Sequence, residues 1–144
     1  MTAIREQRKI NENTTLIDIG MFGVSGIGAV YLIEAGKKCL IDCGAQTEAP
    51  RIIKTLEKLN AFPPDYVLIT HSHWDHCQGL PILRERAKKK QRQFEALASE
   101  KAIPLLEDQS FNKVFHPKRQ FENIKGVTQL KEGDSIDLEG LTLE

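Results

Sequence analysis

Apolar residues alternate with polar ones in the first part of the chain, in short runs that glycines separate. This period of two predicts strands at residues 15–19, 29–34 and 39–42, with a glycine-rich loop at 20–28 and a turn at Gly36. The first part of the chain is therefore predicted to form an antiparallel meander.

The apolar period then changes to that of a helix. Apolar residues recur at helical spacing from Ile52 to Leu59, which predicts an amphipathic helix with Thr47 as its N-cap and Pro50 in its first turn. Two adjacent prolines in residues 60–65 break this helix.

The nearly continuous apolar run at residues 66–70 is typical of a central strand that is covered on both faces. The elements predicted after it are a helix at 81–92, a strand at 94–98, a short helix capped by Ser99 and ending at Asp108, a loop or lid at 109–125, and strands at 127–130, 135–138 and 141–143. This order predicts a single α/β domain over residues 1–144, with helices on one face of a sheet. Because the alternation continues to the last residues, the domain is predicted to be truncated at its C-terminus.

Composition narrows the class of protein. The chain has 144 residues, of which 40% are hydrophobic, and this content suffices for one domain with an ordinary core. Twenty basic and twenty acidic residues give a formal net charge of zero, so overall charge does not predict binding to nucleic acid or to an anionic membrane. The start of the chain has no apolar leader, and no run is long enough to cross a bilayer, which predicts a cytoplasmic protein.

Three cysteines make an odd number and predict free thiols in a reducing compartment. Cys39 and Cys43 are expected on one strand face, where a separation of roughly 13 Å puts them beyond disulfide reach. We therefore interpret both as small buried hydrophobic residues. Cys77 is expected to point away from the neighbouring His76, as side chains of adjacent residues do in extended backbone.

The segment with the most chemical information, HSHWDH at residues 71–76, directly follows the predicted central strand. His71 and His73 are two residues apart and project to the same side in extended backbone, so their imidazoles can converge on one cation. Asp75 and His76 bring the number of metal-competent side chains to four within six residues. A structural zinc site would use cysteines at knuckle spacing, so the segment predicts a catalytic metal site. The alternative is a polar loop whose histidines satisfy hydrogen bonds.

This segment resembles the His-x-His-x-Asp-His signature of the metallo-β-lactamase superfamily, which stands at the end of a strand and is often followed by a glycine. The matching positions are His71, His73, Asp75, His76 and Gly79. Upstream, Asp42 and Gly44 resemble the Asp-x-Gly strand end of the same family. The resemblance implies the αβ/βα four-layer sandwich of that family, of which this chain would supply the N-terminal half and a little more.

The resemblance also implies the chemistry of the site. His71 and His73 would bind a first metal, Asp75 and His76 a second, and Asp42 would orient a ligand from behind. Zinc is the expected metal, with two ions in a complete site, and iron or manganese are accepted by the same ligand types. A metal-bound hydroxide, oriented by the catalytic Asp75, would attack a small ester-like substrate. The third histidine, the bridging aspartate and the final histidine of the family are not identifiable in this chain.

The substrate class is predicted from the surroundings of the signature. The early loop at residues 20–23 and the absence of an export signal resemble thioesterases or lactonases of the glyoxalase II type more than exported β-lactamases. The expected partners are a small-molecule substrate and either a second copy or a second chain that completes the domain. No membrane partner is expected.

Two alternatives stay open, a truncated non-catalytic metal-binding or interaction module and a nuclease of the same superfamily. The basic run at residues 84–92 is relevant to the nuclease. A solvated helix face is the simpler interpretation of that run, because no aromatic residues alternate with its charges and the net charge is zero. Nucleic acid is therefore not favoured as a partner.

Three further features near the signature have two interpretations each. Trp74 lines a substrate pocket or packs against the next strand. His116 is predicted to be a surface residue or part of a pocket rim, not a ligand. The glycines of residues 20–28 predict a flexible active-site loop and not a phosphate cradle, because the lysine and the following helix of a phosphate loop are missing.

Overall fold

A computed structural model describes residues 7–144 of the chain. Residues 1–6 lie outside the described residues. The prediction that the start of the chain has no export leader falls partly on them. Between residues 7 and 144, none of the helices has the length and apolar character that crossing a membrane requires.

Strands and helices alternate in the described chain after an initial group of strands. The strands are β1 (Gln7–Lys9), β2 (Thr14–Asp18), β3 (Ala29–Glu34), β4 (Lys38–Ile41), β5 (Tyr66–Ile69), β6 (Glu95–Ser99), β7 (Thr128–Leu130), β8 (Ile136–Asp137) and β9 (Thr142–Leu143). The helices are α1 (Ala49–Lys58), α2 (Trp74–Cys77), α3 (Leu80–Lys89), α4 (Ile103–Glu107) and α5 (Ser110–Phe115), and a short 3-10 turn covers Met21–Gly23.

Seven strands form one mixed sheet in the order β1-β2-β3-β4-β5-β6-β7, and β8 and β9 form a separate two-stranded sheet. The pairs from β1 to β4 are antiparallel, which confirms the predicted meander. The pairs from β4 to β7 are parallel because helical segments return the chain to the same end of the sheet between these strands. The carboxyl ends of β4 and β5, where Asp42 and the HSHWDH segment follow, therefore lie side by side.

The two faces of the sheet are covered differently, and β5 is a central strand, as predicted. On one face, Val67 and Ile69 pack in the main core against helix residues such as Ile52 and Leu83. On the other face, Tyr66 and Leu68 contact a smaller cluster that β8 and β9 cover. Helices on one face and a small sheet on the other produce a layered α/β fold.

Two local predictions were wrong at element ends, and one strand was not predicted. Thr47 does not cap α1, because Glu48 occupies the N-cap position and the Thr47 hydroxyl donates to the Glu48 carboxylate. Ser99 is the last residue of β6 and not a helix cap, and α4 begins only at Ile103. β1 was not predicted, because Gln7–Lys9 is polar and fully exposed and has no apolar alternation to detect.

The segment at residues 109–125 contains α5, although its sequence predicted only a loop or lid. The helix has no apolar stripe because its buried side chain belongs to a polar residue, Asn112. A helix that is fixed by side-chain hydrogen bonds lacks the hydrophobic period from which helices are predicted.

All three cysteines are free, as predicted, and all are buried, which was predicted for Cys39 and Cys43; these two, however, do not share a face. Cys39 packs in the cluster under β8 and β9, whereas Cys43 belongs to the main core on the helical face. The strand ends at Ile41, and Asp42 takes a left-handed conformation with φ of 61°, so the alternation of faces does not extend to Cys43.

Candidate metal centre

The HSHWDH segment begins one residue after β5 and turns into the one-turn helix α2, so its second half is helical and not extended. Two backbone hydrogen bonds hold it against the turn after β4, from Cys43 N to His76 O at 3.0 Å and from Gly79 N to Gly44 O at 2.8 Å. A Cβ on Gly79 would lie 2.0 Å from the Cys43 carbonyl oxygen, which explains why a glycine stands there.

Three of the predicted residues bring ligand atoms together. One ligand atom from each of Asp42, His71 and His76 lies within 4.8 Å of the others, and the rings of His71 and His76 are 4.0 Å apart between centroids. His76 Nε2 is also 3.6 Å from Asp75 Oδ2. This cluster of imidazole and carboxylate groups has the chemistry of a site for zinc, iron or manganese.

His73 lies at the side of this group and not within it. Its ring is 4.8 Å from that of His71 and 6.2 Å from that of Phe111, between centroids, and its side chain is exposed. The helical turn that starts after His73 rotates Asp75 and His76 relative to it, which extended backbone would not do.

Asp42 is an acceptor of hydrogen bonds from three donors. Its Oδ1 accepts from the backbone N–H of Thr70 at 2.8 Å, its Oδ2 accepts from the Thr70 hydroxyl at 2.7 Å, and its Oδ2 also accepts from His76 Nδ1 at 2.8 Å. Because both carboxylate oxygens are already engaged, Asp42 is better suited to orienting His76 than to binding a metal itself.

Thr70 links Asp42 to His71, and the sequence interpretation did not identify it. A hydroxyl has one hydrogen, and the Thr70 hydroxyl directs it to the acceptor-only carboxylate of Asp42. The 2.9 Å contact between Thr70 Oγ1 and His71 Nδ1 therefore requires His71 Nδ1 to donate. In neutral His71, the lone pair is then on Nε2. The signal for Thr70 is a hydroxyl residue at the strand end directly before the first histidine.

The two imidazoles of the cluster differ in their proton affinity. Burial, followed by the neighbouring His76 and His73, lowers the pKa of His71 below its ordinary value, which favours the neutral form that metals require. The hydrogen bond to Asp42 raises the pKa of His76, because it stabilises the protonated ring.

Trp74 is nearly fully buried and stands in a group of aromatic and cationic residues. Its ring contacts Phe22 at 6.5 Å, Phe121 at 6.4 Å and His116 at 5.3 Å between centroids, and the Arg119 guanidinium lies 4.1 Å above it. Trp74 thus packs against aromatic and cationic residues of loop segments. His116 lies beside Trp74 and outside the ligand group.

Cys77 lies within helical backbone, so the extended geometry assumed for it was wrong. Its side chain is buried, and its Sγ is 3.5 Å from the Ser72 carbonyl oxygen. Burial raises the pKa of the thiol to about 12, so the protonated form dominates near neutral pH.

The glycine-rich loop at residues 20–28 lies next to Trp74 through Phe22. Asp18 fixes both parts of this loop, since its carboxylate accepts from Gly20 N at 2.8 Å and from Gly26 N at 2.6 Å. A cavity of about 510 Å³ opens at the carboxyl ends of β5, β6 and β7 and includes Thr70 in its lining. The surroundings of the cluster thus offer space for a small ligand.

Half of the six basic residues between 84 and 92 make intramolecular contacts. Arg84 donates to the carbonyls of Lys125 and Gly126, at 2.6 and 2.9 Å, and Lys89 and Lys90 form ion pairs of 2.8 Å with Glu85 and Glu57. These contacts favour the interpretation of a structural, solvated helix face over a surface for nucleic acid.

Comparison of the sequence with protein-family models identifies the family of this chain. The family model of the metallo-beta-lactamase superfamily matches residues 23–144. The chain therefore belongs to the metallo-β-lactamase superfamily, and its α/β fold is that of the superfamily.

Solved structures show the same fold. The native FEZ-1 metallo-beta-lactamase from Legionella gormanii superposes with a TM-score of 0.75 at 20% identity, over 99% of this chain and 52% of its own. The subclass B3 enzyme BJP-1 of Bradyrhizobium japonicum gives a TM-score of 0.73 at 25% identity, over 98% of this chain and 51% of its own. This chain thus spans about half the length of these proteins.

Curated relatives include two different kinds of enzyme. A hydroxyacylglutathione hydrolase of Ruegeria pomeroyi is 43% identical over 61 residues, which are 40% of this chain and 22% of the relative. A ribonuclease Z of Clostridium tetani is 36% identical over 76 residues, which are 47% of this chain and 23% of the relative. The superfamily is thus shared with hydrolases of quite different substrates.

Proposed function

We propose that this chain is part of a metal-dependent hydrolase that cleaves a small ester-like substrate, a thioester or a lactone. The observation that carries the proposal is the hydrogen bonding of the two clustered histidines. Nδ1 of His71 and Nδ1 of His76 are both engaged, by Thr70 and Asp42, so each ring has its Nε2 left to bind a metal. Supported metal ligands of catalytic sites have this arrangement.

The proposed ligands are His71, His73, Asp75 and His76, with Asp42 as the residue that orients His76. The donor set fits zinc, and two ions are proposed for a complete site. When bound, these ions lower the pKa of a water molecule so that hydroxide is available near neutral pH. Asp75, at the start of α2, is proposed to orient that nucleophile through its carboxylate.

The complete site is proposed to draw further ligands from outside residues 7–144, since the residues described here contain one histidine beyond the segment, His116, and it contacts Trp74. The edge strand β7 pairs with β6 alone among the described strands, and an open edge can accept a strand. A strand from outside the described residues is proposed to pair there.

Metal analysis and turnover on the same sample test this proposal. We expect zinc bound near neutral pH and hydrolysis of a thioester or lactone that is lost in H73A. His73 is exposed, so its replacement should leave the thermal stability of the metal-free protein unchanged. The absence of bound metal at neutral pH would contradict the proposed metal-dependent hydrolase.

A non-catalytic module makes a different prediction for the same experiment. It would bind at most one weakly held ion, show no turnover, and self-associate through its open sheet edge in size-exclusion chromatography. Two tightly held ions in a monomer of residues 1–144 would contradict the proposed need for ligands from outside these residues.

A nuclease is the second candidate function, and the similarity to ribonuclease Z favours it. Metal-dependent cleavage of a labelled RNA, lost in H73A, would support this candidate. Turnover of thioesters without RNA cleavage would exclude it under the same conditions.

A further inference from the structure

A second cavity, of about 400 Å³, lies between the loop around Phe22 and the start of α1. Two arginines from distant parts of the chain, Arg51 and Arg119, line this cavity together with Phe22 and Glu48. Neither arginine forms an ion pair with a residue of the described chain.

Arg51 has hydrogen-bonding capacity that the described residues do not use. Its Nε is buried and has no hydrogen-bond partner. The guanidinium packs so closely against Gly20 that a Cβ there would lie 2.4 Å from Nη1. A buried donor of a charged group without an acceptor is costly, so its presence beside a cavity indicates a ligand that supplies acceptor atoms.

Glu48 does not cancel the positive charge of this cavity. Its carboxylate accepts the Thr47 hydroxyl at 2.8 Å and is not within ion-pair distance of either arginine. Two guanidinium groups against one carboxylate leave the lining with a net positive charge, which favours an anion.

Arg119 connects this cavity to the HSHWDH segment. Its guanidinium lies 4.1 Å above the ring of Trp74 and 5.9 Å from that of Phe22. A guanidinium that contacts the face of an aromatic ring keeps N–H groups available to bind an acceptor. Since Trp74 stands between His73 and Asp75 in the chain, a ligand at Arg119 is close to the candidate metal ligands.

We propose that Arg51 and Arg119 form a subsite for an anionic oxygen group of the substrate, a carboxylate or a phosphate. This inference rests on the proposed hydrolase, because it places the scissile ester-like bond of the substrate at the HSHWDH segment and the anionic end of the same substrate in this cavity. The fork of an arginine matches both kinds of anion in a bidentate manner.

The single tryptophan of the chain makes the subsite directly measurable. We would titrate metal-free protein with inorganic phosphate and, separately, with acetate, at constant ionic strength held by chloride, and follow tryptophan fluorescence and calorimetric heat. We expect a saturable change with one or both anions, because the anion alters the contact of Arg119 with Trp74. R51Q should weaken binding about tenfold or more, as the loss of a charge-assisted hydrogen bond does.

The control variant is K54Q, which removes the same charge from an exposed residue of the same helix and should bind the anion like the wild type. R51K keeps the charge without the fork and should bind more weakly than the wild type, and it serves if R51Q does not fold. A response to phosphate alone assigns a phosphorylated substrate, and a response to acetate alone assigns a carboxylate. Either result supports the subsite.

Two results would overturn the subsite, namely no saturable response of the wild type to either anion, or equal affinity in R51Q, R51K and wild type. The titration contains no metal, so such a failure leaves the proposed hydrolase untouched. Loss of metal binding with an intact anion response would instead contradict the hydrolase and keep the subsite.

Discussion

Single hydrogen bonds decide what the histidines of this chain can bind. Asp42 accepts from the Thr70 hydroxyl and from His76, and Thr70 in turn accepts from His71. The two imidazoles are thus connected through one carboxylate and one hydroxyl, which fixes their rings and tautomers. Asp42 adopts its left-handed backbone conformation at this point, which asparagine and aspartate tolerate better than other non-glycine residues.

Replacing Thr70 tests this connection. T70V keeps the shape of the side chain and removes the hydroxyl, so His71 loses the group that fixes its tautomer. We expect zinc affinity to fall about 10- to 100-fold, as for other groups that support a ligand. Competition with a chromophoric chelator measures the affinity.

T70S is the matched control for this prediction, because it retains the hydroxyl. We expect it to bind zinc within a few-fold of the wild type. Equal affinities in T70V and T70S would show that the hydroxyl does not support His71.

At the scale of elements, a buried network of side-chain amides joins α5 to the HSHWDH segment. Asn112 Nδ2 donates to the Ser72 carbonyl at 3.1 Å and to Gln109 Oε1 at 2.7 Å. Gln78 extends the network, since its Nε2 donates to Gln109 Oε1 at 3.0 Å and to the Glu122 carbonyl at 2.8 Å. These bonds occupy buried polar groups that would otherwise lose their hydrogen bonds to water without replacement.

Truncation of the Asn112 side chain should weaken the attachment of α5 and lower the stability of the protein. N112A removes the amide donor of the Ser72 carbonyl and one of the donors of Gln109 Oε1 in the protein interior, so we expect a loss of about 1–3 kcal/mol in the free energy of unfolding. Urea unfolding monitored by circular dichroism measures it. K113A, at the neighbouring exposed position of α5, should change stability by less than about 0.5 kcal/mol. Similar losses in both variants would contradict the role of the network.

At the scale of the whole molecule, the two faces of the sheet each enclose a thiol in an apolar environment. Burial raises the pKa of Cys39 to about 12, and burial likewise raises the pKa of Cys43. Unfolded cysteine loses its proton above about pH 8.5, whereas these folded thiols retain theirs. The unfolded chain therefore binds fewer protons in alkaline solution, and stability must fall as pH rises.

The predicted pH dependence has a measurable size. From pH 7.5 to 9.5, we expect metal-free protein to lose on the order of 1 kcal/mol of unfolding free energy per buried thiol. Urea unfolding at the two pH values tests this, and a thiol reagent at pH 8 should label the chain only in urea. C39A should have a shallower pH dependence than the wild type. An equal slope in C39A would contradict the contribution of Cys39.

Much of the candidate site was predictable because its candidate ligands are close in sequence. The HSHWDH segment contains four metal-competent side chains directly after a buried strand. The apolar run at residues 66–70 predicts that strand. The meander, the central strand and the helical face of the sheet follow from local periods that burial imposes on the chain. These features depend on neighbours within one turn or one strand, so the sequence by itself determined them.

Other features depend on residues far apart in the chain, and only the tertiary structure decided them. Arg119 reaches Trp74, Asn112 reaches Ser72, and the carbonyl of Cys43 leaves no room for a side chain on Gly79. Polar and cationic contacts of this kind produce no hydrophobic period, and they form only when packing brings distant segments together. The sequence alone therefore identified the candidate metal-binding segment, and the fold determined which residues orient it and what surrounds it.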